Sequence, residues 1–529
     1  MDAQACYRLL GLSAVCASAV LATAQYARDK VTLHAQISLA AMSATSGNSC
    51  WGYTSPSGRE YALMGCNNKL AVVEITNPAQ PNYFASIPHS SSTWADIKVY
   101  GHYAYLVTET AGTGIQVIDL SQVDNGIVTL VRTIPSPGRS HTIHVDTVSG
   151  FLYTCGSRDG TGTTMCFSLA DPANPVRVGA NTMTPVYQHE AQMHTYTSGQ
   201  YAGRQIMFGA GEGRGLEIWD LTDKDNPFLI RRVAYPFVGY CHQGWLSPDK
   251  RYFYVNDEFD ESQNQITTRT LIFDVSVLET ADLVATFSTG RPSIDHNLYN
   301  RNGFIFEANY TTGLWVFDGN SNPVAPAYRG FFDTYPANDN AQFDGAWSNY
   351  PFFPSGTVIV SDINRGLFIL DTTEATKTKF KAVSATIERG AAVSGSVADL
   401  ENADNQYFVL KRGPAASAND DPLRLVLSGP SLWQDISKLS LKVQAKASTT
   451  GLQLSLELYD FAAGAWVQKQ TAPLTGSDVD FALDGTNVDR FVAPGSKEMR
   501  ARLVARPGGP VGNAQWQVSF DSAYWEANP

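Results

Sequence analysis

Gly366-Leu367-Phe368-Ile369-Leu370-Asp371 is an apolar strand opened by glycine and closed by aspartate, and the chain repeats it. Gly313-Leu-Trp-Val-Phe-Asp318, Gly215-Leu-Glu-Ile-Trp-Asp220 and Gly114-Ile-Gln-Val-Ile-Asp119 are close copies. Lys69-Leu-Ala-Val-Val-Glu74, Met165-Cys-Phe-Ser-Leu-Ala-Asp171 and Thr270-Leu-Ile-Phe-Asp274 are looser ones. The copies begin at residues 69, 114, 165, 215, 270, 313 and 366. A period near 50 residues marks a propeller or solenoid, in which each repeat buries its faces against its neighbours.

On the far side of each repeat strand lies a turn rich in Asn, Asp and Pro, such as Thr76-Asn-Pro-Ala-Gln-Pro81 or Thr222-Asp-Lys-Asp-Asn-Pro227. These residue types set turn dihedrals and end pairing. An outer strand follows, as in Val128-Thr-Leu-Val-Arg-Thr-Ile134. Upstream of the repeat strands runs a second series of candidate inner strands. It comprises Thr93-Trp-Ala-Asp-Ile-Lys-Val99, His141-Thr-Ile-His-Val145, His189-Glu-Ala-Gln-Met193, His242-Gln-Gly-Trp-Leu246, His296-Asn-Leu-Tyr299 and Asp344-Gly-Ala-Trp347. Each blade then reads inner, second, repeat and outer strand. Val31-Thr-Leu-His-Ala-Gln-Ile-Ser-Leu39 resembles an outer strand but precedes the first repeat. It is expected to pair with the Gly366 strand and close a seven-bladed β-propeller over residues 31–371, which removes an open sheet edge.

After Asp371 the repeat stops. Residues 372–378 read as a polar linker, and residues 380–529 as short alternating strands such as Leu423-Arg-Leu-Val-Leu427 and Leu452-Gln-Leu-Ser-Leu-Glu-Leu-Tyr459. This pattern predicts a separate antiparallel β-sandwich, jelly-roll-like. The whole chain is therefore expected to be all-β. Its length of 529 residues is beyond one ordinary core. Its 43 glycines, 24 tyrosines and 25 phenylalanines suit many short strands joined by tight turns.

A net charge of −12 with no basic stripe excludes nucleic acid as a partner. The apolar run Leu9 to Leu21, after Arg8 and before Ala22-Thr23-Ala24, reads as a signal peptide over residues 1–24, hence a secreted protein. No later stretch is long and apolar enough to span a bilayer. In an exported chain, Cys50 with Cys66 and Cys155 with Cys166 are expected disulfides, each pair flanking a hairpin, and Cys241 a buried thiol. Asn309-Tyr-Thr311 is a glycosylation sequon.

Beyond the repeat strands, an ordered set of motifs resembles the choice-of-anchor B proteins with LVIVD-type repeats. The set is Cys50-Trp-Gly-Tyr53, Ser92-Thr-Trp-Ala-Asp-Ile-Lys-Val-Tyr-Gly101, His189-Glu-Ala-Gln192, His242-Gln-Gly-Trp-Leu246, Ile294-Asp-His-Asn-Leu-Tyr299, Phe332-Asp-Thr-Tyr-Pro336 and Ser361-Asp-Ile-Asn-Arg-Gly-Leu-Phe368. The resemblance covers about residues 31–371. It implies an exported β-propeller and brings no established catalytic residues. That family is named for varied C-terminal sorting signals. Trp525-Glu-Ala-Asn-Pro529 carries no apolar tail, so release rather than anchoring is expected.

Loops leading into inner strands and loops leaving second strands lie on one propeller face. The first set carries His141, His189, His242, His296 and Asp344; the second carries Glu109, Glu212, Glu258, Glu307 and Asp362. These ten residues are the candidate ligand-binding set, and the four histidines the candidate metal ligands. Neutral imidazole suits Zn, Cu, Fe or Ni, whereas carboxylates around Asp257 and Asp260 suit Ca or Mg. The bland reading is structural, since a group repeated once per blade can fasten neighbouring blades. No Gly-x-Ser-x-Gly elbow or phosphate-cradling loop is present. In the C-terminal part Tyr459, Trp466 and Trp525 are a candidate sugar platform set against simple core packing.

Three functions are consistent with these residues. The leading one is a non-enzymatic exported protein, expected to be a monomer, that presents the His/carboxylate mouth to an extracellular ligand or protein. A metal-dependent hydrolase or lyase with a divalent ion on the same face is the second. A structural cell-surface or matrix protein is the third.

Overall fold

The computed structural model describes residues 26–157, 163–179, 186–414, 421–485, 487–508 and 515–529. The expected signal peptide lies outside them. Among the described residues, seven antiparallel sheets follow one another, each of four main strands. The first runs through Gly47–Thr54, Glu60–Cys66, Lys69–Glu74 and Asn82–Pro88. The fifth runs through Cys241–Leu246, Tyr252–Asp257, Thr270–Asp274 and Asp282–Phe287. The innermost strand of each sheet touches that of the next, and Ala346–Tyr350 of the seventh returns to Gly47–Thr54 of the first. The sheets therefore form a closed ring.

Burial follows position in the sheet. The repeat strand Gly366–Asp371 is buried on both faces until its terminal aspartate, whereas the outer strand Asp282–Phe287 alternates exposed and half-buried residues. Apolar clusters fill the spaces between successive sheets. One joins Leu70 and Val72 of the first sheet to Ile97, Leu106 and Ile118 of the second. Another joins Ile218 of the fourth to Phe253 and Phe273 of the fifth.

The glycine that opens the closer repeats has one steric cause. Gly114, Gly215, Gly313 and Gly366 all have positive φ, and a Cβ on any of them would stand 2.0–2.3 Å from an outer-strand carbonyl oxygen. Those oxygens belong to Ile134, Val233, Phe332 and Ile37. Ile37 lies in the N-terminal strand Thr32–Ile37, which pairs antiparallel with Gly366–Asp371, Leu33 opposite Leu370 and Gln36 opposite Phe368. It thus occupies the place that an outer strand holds in the other sheets. Ahead of it, Arg28–Asp29 adds a fifth strand to the sixth sheet by pairing with Phe331 and Phe332.

Among the described residues, inner strands of neighbouring sheets share no ladder, and buried polar side chains fasten them instead. The Asp96 carboxylate accepts from the Ile143 N–H at 2.9 Å. Gln243 both donates to and accepts from the backbone of Leu298, at 3.0 and 2.9 Å. Asn349 donates to the Asn297 carbonyl at 3.2 Å. Such groups are costly to bury unless paired, so they fix the register of the ring.

Residues beyond the ring form a six-stranded and a five-stranded antiparallel sheet. Leu423–Pro430 and Lys438–Ala447 alternate buried and half-buried residues, and one apolar cluster draws on both sheets. The expected polar linker is instead a helical turn, Thr373–Thr376, with Ala375 and Thr376 buried. It is held by Asn528, whose amide donates to the Thr373 carbonyl and the Thr376 hydroxyl. Trp525 is fully buried among core residues, which removes it from any sugar platform.

Two further expectations fail. Cys50, Cys66, Cys155 and Cys166 are all free thiols, as is Cys241. Strand register is the reason: Cys50 lies opposite Met64 and Cys66 opposite Gly47, so the sulfurs do not face each other. Likewise Cys155 is opposite Thr142 and Cys166 opposite Tyr153. Burial pushes the Cys50, Cys155, Cys166 and Cys241 thiols up to about 12, which makes them inert at neutral pH. The Asn309 sequon is sealed inside the fold, with Asn309 fully buried and donating to Glu307.

Candidate functional site

His141, His189 and His296 stand just before inner strands, at Thr142–Asp146, Ala191–Thr195 and Asn297–Arg301, and His242 is the second residue of Cys241–Leu246. Equivalent positions in successive sheets bring the four rings into an arc. Ring centroids are 4.0 Å apart for His141 and His189, 4.3 Å for His189 and His242, and 4.1 Å for His242 and His296. All four are buried.

Two of the Nδ1 atoms face the next sheet. His189 Nδ1 lies 3.3 Å from the His242 carbonyl and His296 Nδ1 lies 2.5 Å from the Trp347 carbonyl. A carbonyl only accepts, so these Nδ1 atoms carry the proton and each Nε2 keeps its lone pair. His141 Nδ1 pairs with the Glu109 carboxylate at 2.7 Å. The His242 ring meets the backbone of His296, although its buried Nδ1 falls short of good hydrogen-bond geometry.

Glu258 follows the second strand Tyr252–Asp257 and reaches the arc. Its Oε2 lies 3.8 Å from His242 Nε2 and its Oε1 3.5 Å from His296 Nε2, too far for good hydrogen bonds. The Tyr310 hydroxyl donates to Glu258 Oε1 at 2.6 Å. Burial, then the neighbouring imidazoles, hold His189 and His242 well below the usual histidine range, so both are neutral at pH 7. Burial lowers His296 to about 3 and lifts Glu258 to about 7.

Above the arc opens a cavity of about 500 Å³. Its walls are aromatic, from Trp94, Tyr187, Tyr240, Tyr310, Phe343 and Trp347. Below the arc the channel narrows onto Asp96 and Glu190. Lys98 Nζ sits 2.9 Å from both Asp96 carboxylate oxygens, and burial raises Glu190 to about 7.

Six of the ten expected residues meet here: the four histidines, Glu109 and Glu258. The other four do not line the cavity. Glu307 is directed between sheets, accepting from the Thr270 hydroxyl and the Asn309 amide. Asp362 caps its own turn by accepting from the N–H groups of Asn364 and Arg365. Asp344 accepts from Gln342 and Asn364. Glu212 stands behind the cavity wall: its side chain pairs with the Tyr240 hydroxyl and lies 3.9 Å from Arg214, and its backbone bridges Cys241. The aromatic walls were missed, although Thr93-Trp94 and Ala346-Trp347 flank inner strands as the histidines do. Asp96 and Lys98 carried a signal as well, two charges of period two on one inner strand.

His189, His242 and Glu258 offer one ligand atom each, all within 4.8 Å of one another, and among the described residues they are the group able to hold a metal ion. No helix among the described residues is long and apolar enough to cross a membrane.

The LVIVD repeat model matches residues 58–87 and 93–123. No curated protein sequence matches the chain. Among solved structures the chain is similar to U3-55K, at 8% identity over 64% of this chain and 98% of that one, with a TM-score of 0.43. It is also similar to the C-terminal WD40 domain of Sif2, at 10% identity over 61% and 81%, with a TM-score of 0.38. A third is a functionally unknown protein from Desulfotomaculum acetoxidans DSM 771, at 15% identity over 55% and 86%, with a TM-score of 0.39. The chain carries LVIVD repeats, a β-propeller-type repeat, on an all-β architecture of four-stranded antiparallel sheets.

Proposed function

We propose that this chain is an exported, non-enzymatic binding protein of the choice-of-anchor B kind, and that the cavity above the histidine arc holds its small ligand. In this reading residues 31–371 are a seven-bladed propeller closed by the N-terminal strand, and residues 380–529 a β-sandwich. The ring of inner strands and the pairing of Thr32–Ile37 with Gly366–Asp371 support the first part. The two-sheet cluster supports the second. Export rests on the apolar run and Ala22-Thr23-Ala24.

The observation that carries the binding reading is an arc whose polar atoms are left unsatisfied under an aromatic roof. A purely structural histidine ring would pair every buried nitrogen, because an unpaired one costs about 1–3 kcal/mol. Glu258 stands off both His242 and His296, 3.8 and 3.5 Å from their Nε2 atoms, so these nitrogens and the carboxylate do not satisfy one another. A ligand with a flat apolar body and a polar head fits: the body stacks on Trp94 and Trp347, and the head bonds the imidazoles and Glu258.

The test is a titration of the full chain with a panel of hydroxylated aromatic fragments, read by tryptophan fluorescence and thermal shift. Fragments are expected to raise Tm in the parent and not in Ile363→Trp, which fills the cavity wall. Equal shifts in both proteins, or none in either, would sink the reading.

A further inference from the structure

We propose that His189, His242 and Glu258 form a mononuclear site for a divalent transition-metal ion of the zinc class. This inference rests on the cavity being a binding site and deepens it, because a fourth position on such an ion would face the cavity and take an oxygen donor of the ligand.

Geometry is the first argument. Donors about 2.0–2.2 Å from a tetrahedral ion stand about 3.3–3.6 Å from one another. His242 Nε2 and Glu258 Oε2 are 3.8 Å apart, a few tenths from that edge and beyond good hydrogen bonding. The three donors lie within 4.8 Å of each other, so modest contraction completes the set.

The surrounding groups orient these donors as metal sites require. Metal-ligating imidazoles give their other N–H to a carbonyl or carboxylate, which fixes the ring and its tautomer. His189 does this through Nδ1 to the His242 carbonyl. Tyr310 donates to Glu258 Oε1 and leaves Oε2 for an ion. His296 is held the same way by the Trp347 carbonyl, and its Nε2 stands 3.5 Å from Glu258 Oε1.

Donor chemistry then selects the ion. Two imidazoles and one carboxylate suit Zn, Co, Ni or Cu, whereas Ca and Mg take sets of oxygens. A cation there would also balance a carboxylate that is now buried without a basic partner at bonding distance. Three protein ligands plus an exchangeable one is the arrangement of an ion that binds something besides the protein.

The full chain, stripped with a chelator, is titrated with cobalt(II) and followed by its visible d–d absorption, with metal content measured on the zinc-reconstituted protein. One equivalent per chain is expected, with a four- or five-coordinate spectrum. Glu258→Gln and His189→Gln should abolish stoichiometric uptake. Tyr310→Phe, which keeps the ring, should weaken it by roughly 10–100-fold. Asp344→Asn, outside the cavity, should leave it unchanged. Absence of saturable uptake by folded parent protein overturns the site, and so does unchanged uptake in both Glu258→Gln and Tyr310→Phe. The fragment panel is run on the same stripped protein. Fragment binding without cobalt uptake overturns the metal site alone, and loss of both overturns the cavity reading with it.

Discussion

A carboxylate inside a strand and one just past a strand end meet different surroundings. Glu258 lies past Tyr252–Asp257 and turns into the cavity, whereas Glu307 lies within Phe304–Ala308 and is sealed between sheets. Burial lifts Glu307 from 4.5 to about 7. Its folded form keeps a proton that the unfolded chain gives up above about pH 4.5, so this residue loses stabilising effect as pH rises toward 7. Glu307→Gln removes that dependence. Asn309 Oδ1 has no partner, and once the Asn309 amide turns it can accept from the Gln Nε2. Relative to the parent, the variant should gain up to roughly 3 kcal/mol between pH 5 and pH 8. Urea unfolding at both pH values checks this; an unchanged difference would mean that Glu307 titrates normally. The comparison also shows why the site was only partly legible. Residue type and spacing place a carboxylate near a strand end, but a shift of one residue along a pleated strand reverses its direction. The histidines escaped that ambiguity because four copies at equivalent positions must point alike.

At the scale of the strand, the glycine that opens each close repeat is dictated by the carbonyl beside it. Gly366 has φ +98, and a Cβ there would stand 2.2 Å from the Ile37 oxygen. Gly366→Ala therefore combines a strained dihedral with a backbone clash and should cost about 2 kcal/mol or more. Gly58→Ala, also at positive φ but in open space, should cost less. Paired denaturation midpoints test this, and equal losses would show that the clash is relieved. Repeat strands were the easiest elements to read, since burial on both faces leaves an unbroken apolar run. Arg28–Asp29 was not readable, because two residues carry no periodicity. Nor was Thr373–Thr376, whose polar side chains hide a buried turn held by the distant Asn528.

For the molecule as a whole, the largest apolar cluster is continuous from the sixth and seventh sheets into the C-terminal sheets. Phe304 and Trp433 have ring centroids 5.8 Å apart across that junction. Lys438 lies 3.8 Å from Asp371, the last residue of the last repeat strand. Two units joined through a shared core unfold together when each loses much of its stability alone. Calorimetry of the full chain should show one transition, and two well-separated ones would mean that the junction contributes little. The alternation that identified the C-terminal strands says nothing about this docking, which depends on a few residues far apart in sequence.

The N-terminal strand raises a question of time. Thr32–Ile37 leaves the ribosome before any repeat strand, and its partner Gly366–Asp371 is made only after the rest of the ring. Until then its edge is unpaired, and in a concentrated population the seventh sheet can be completed by the same strand from another molecule instead of its own. Order of synthesis and dilution thus decide whether the ring closes on itself or is knotted to a neighbour by strand exchange.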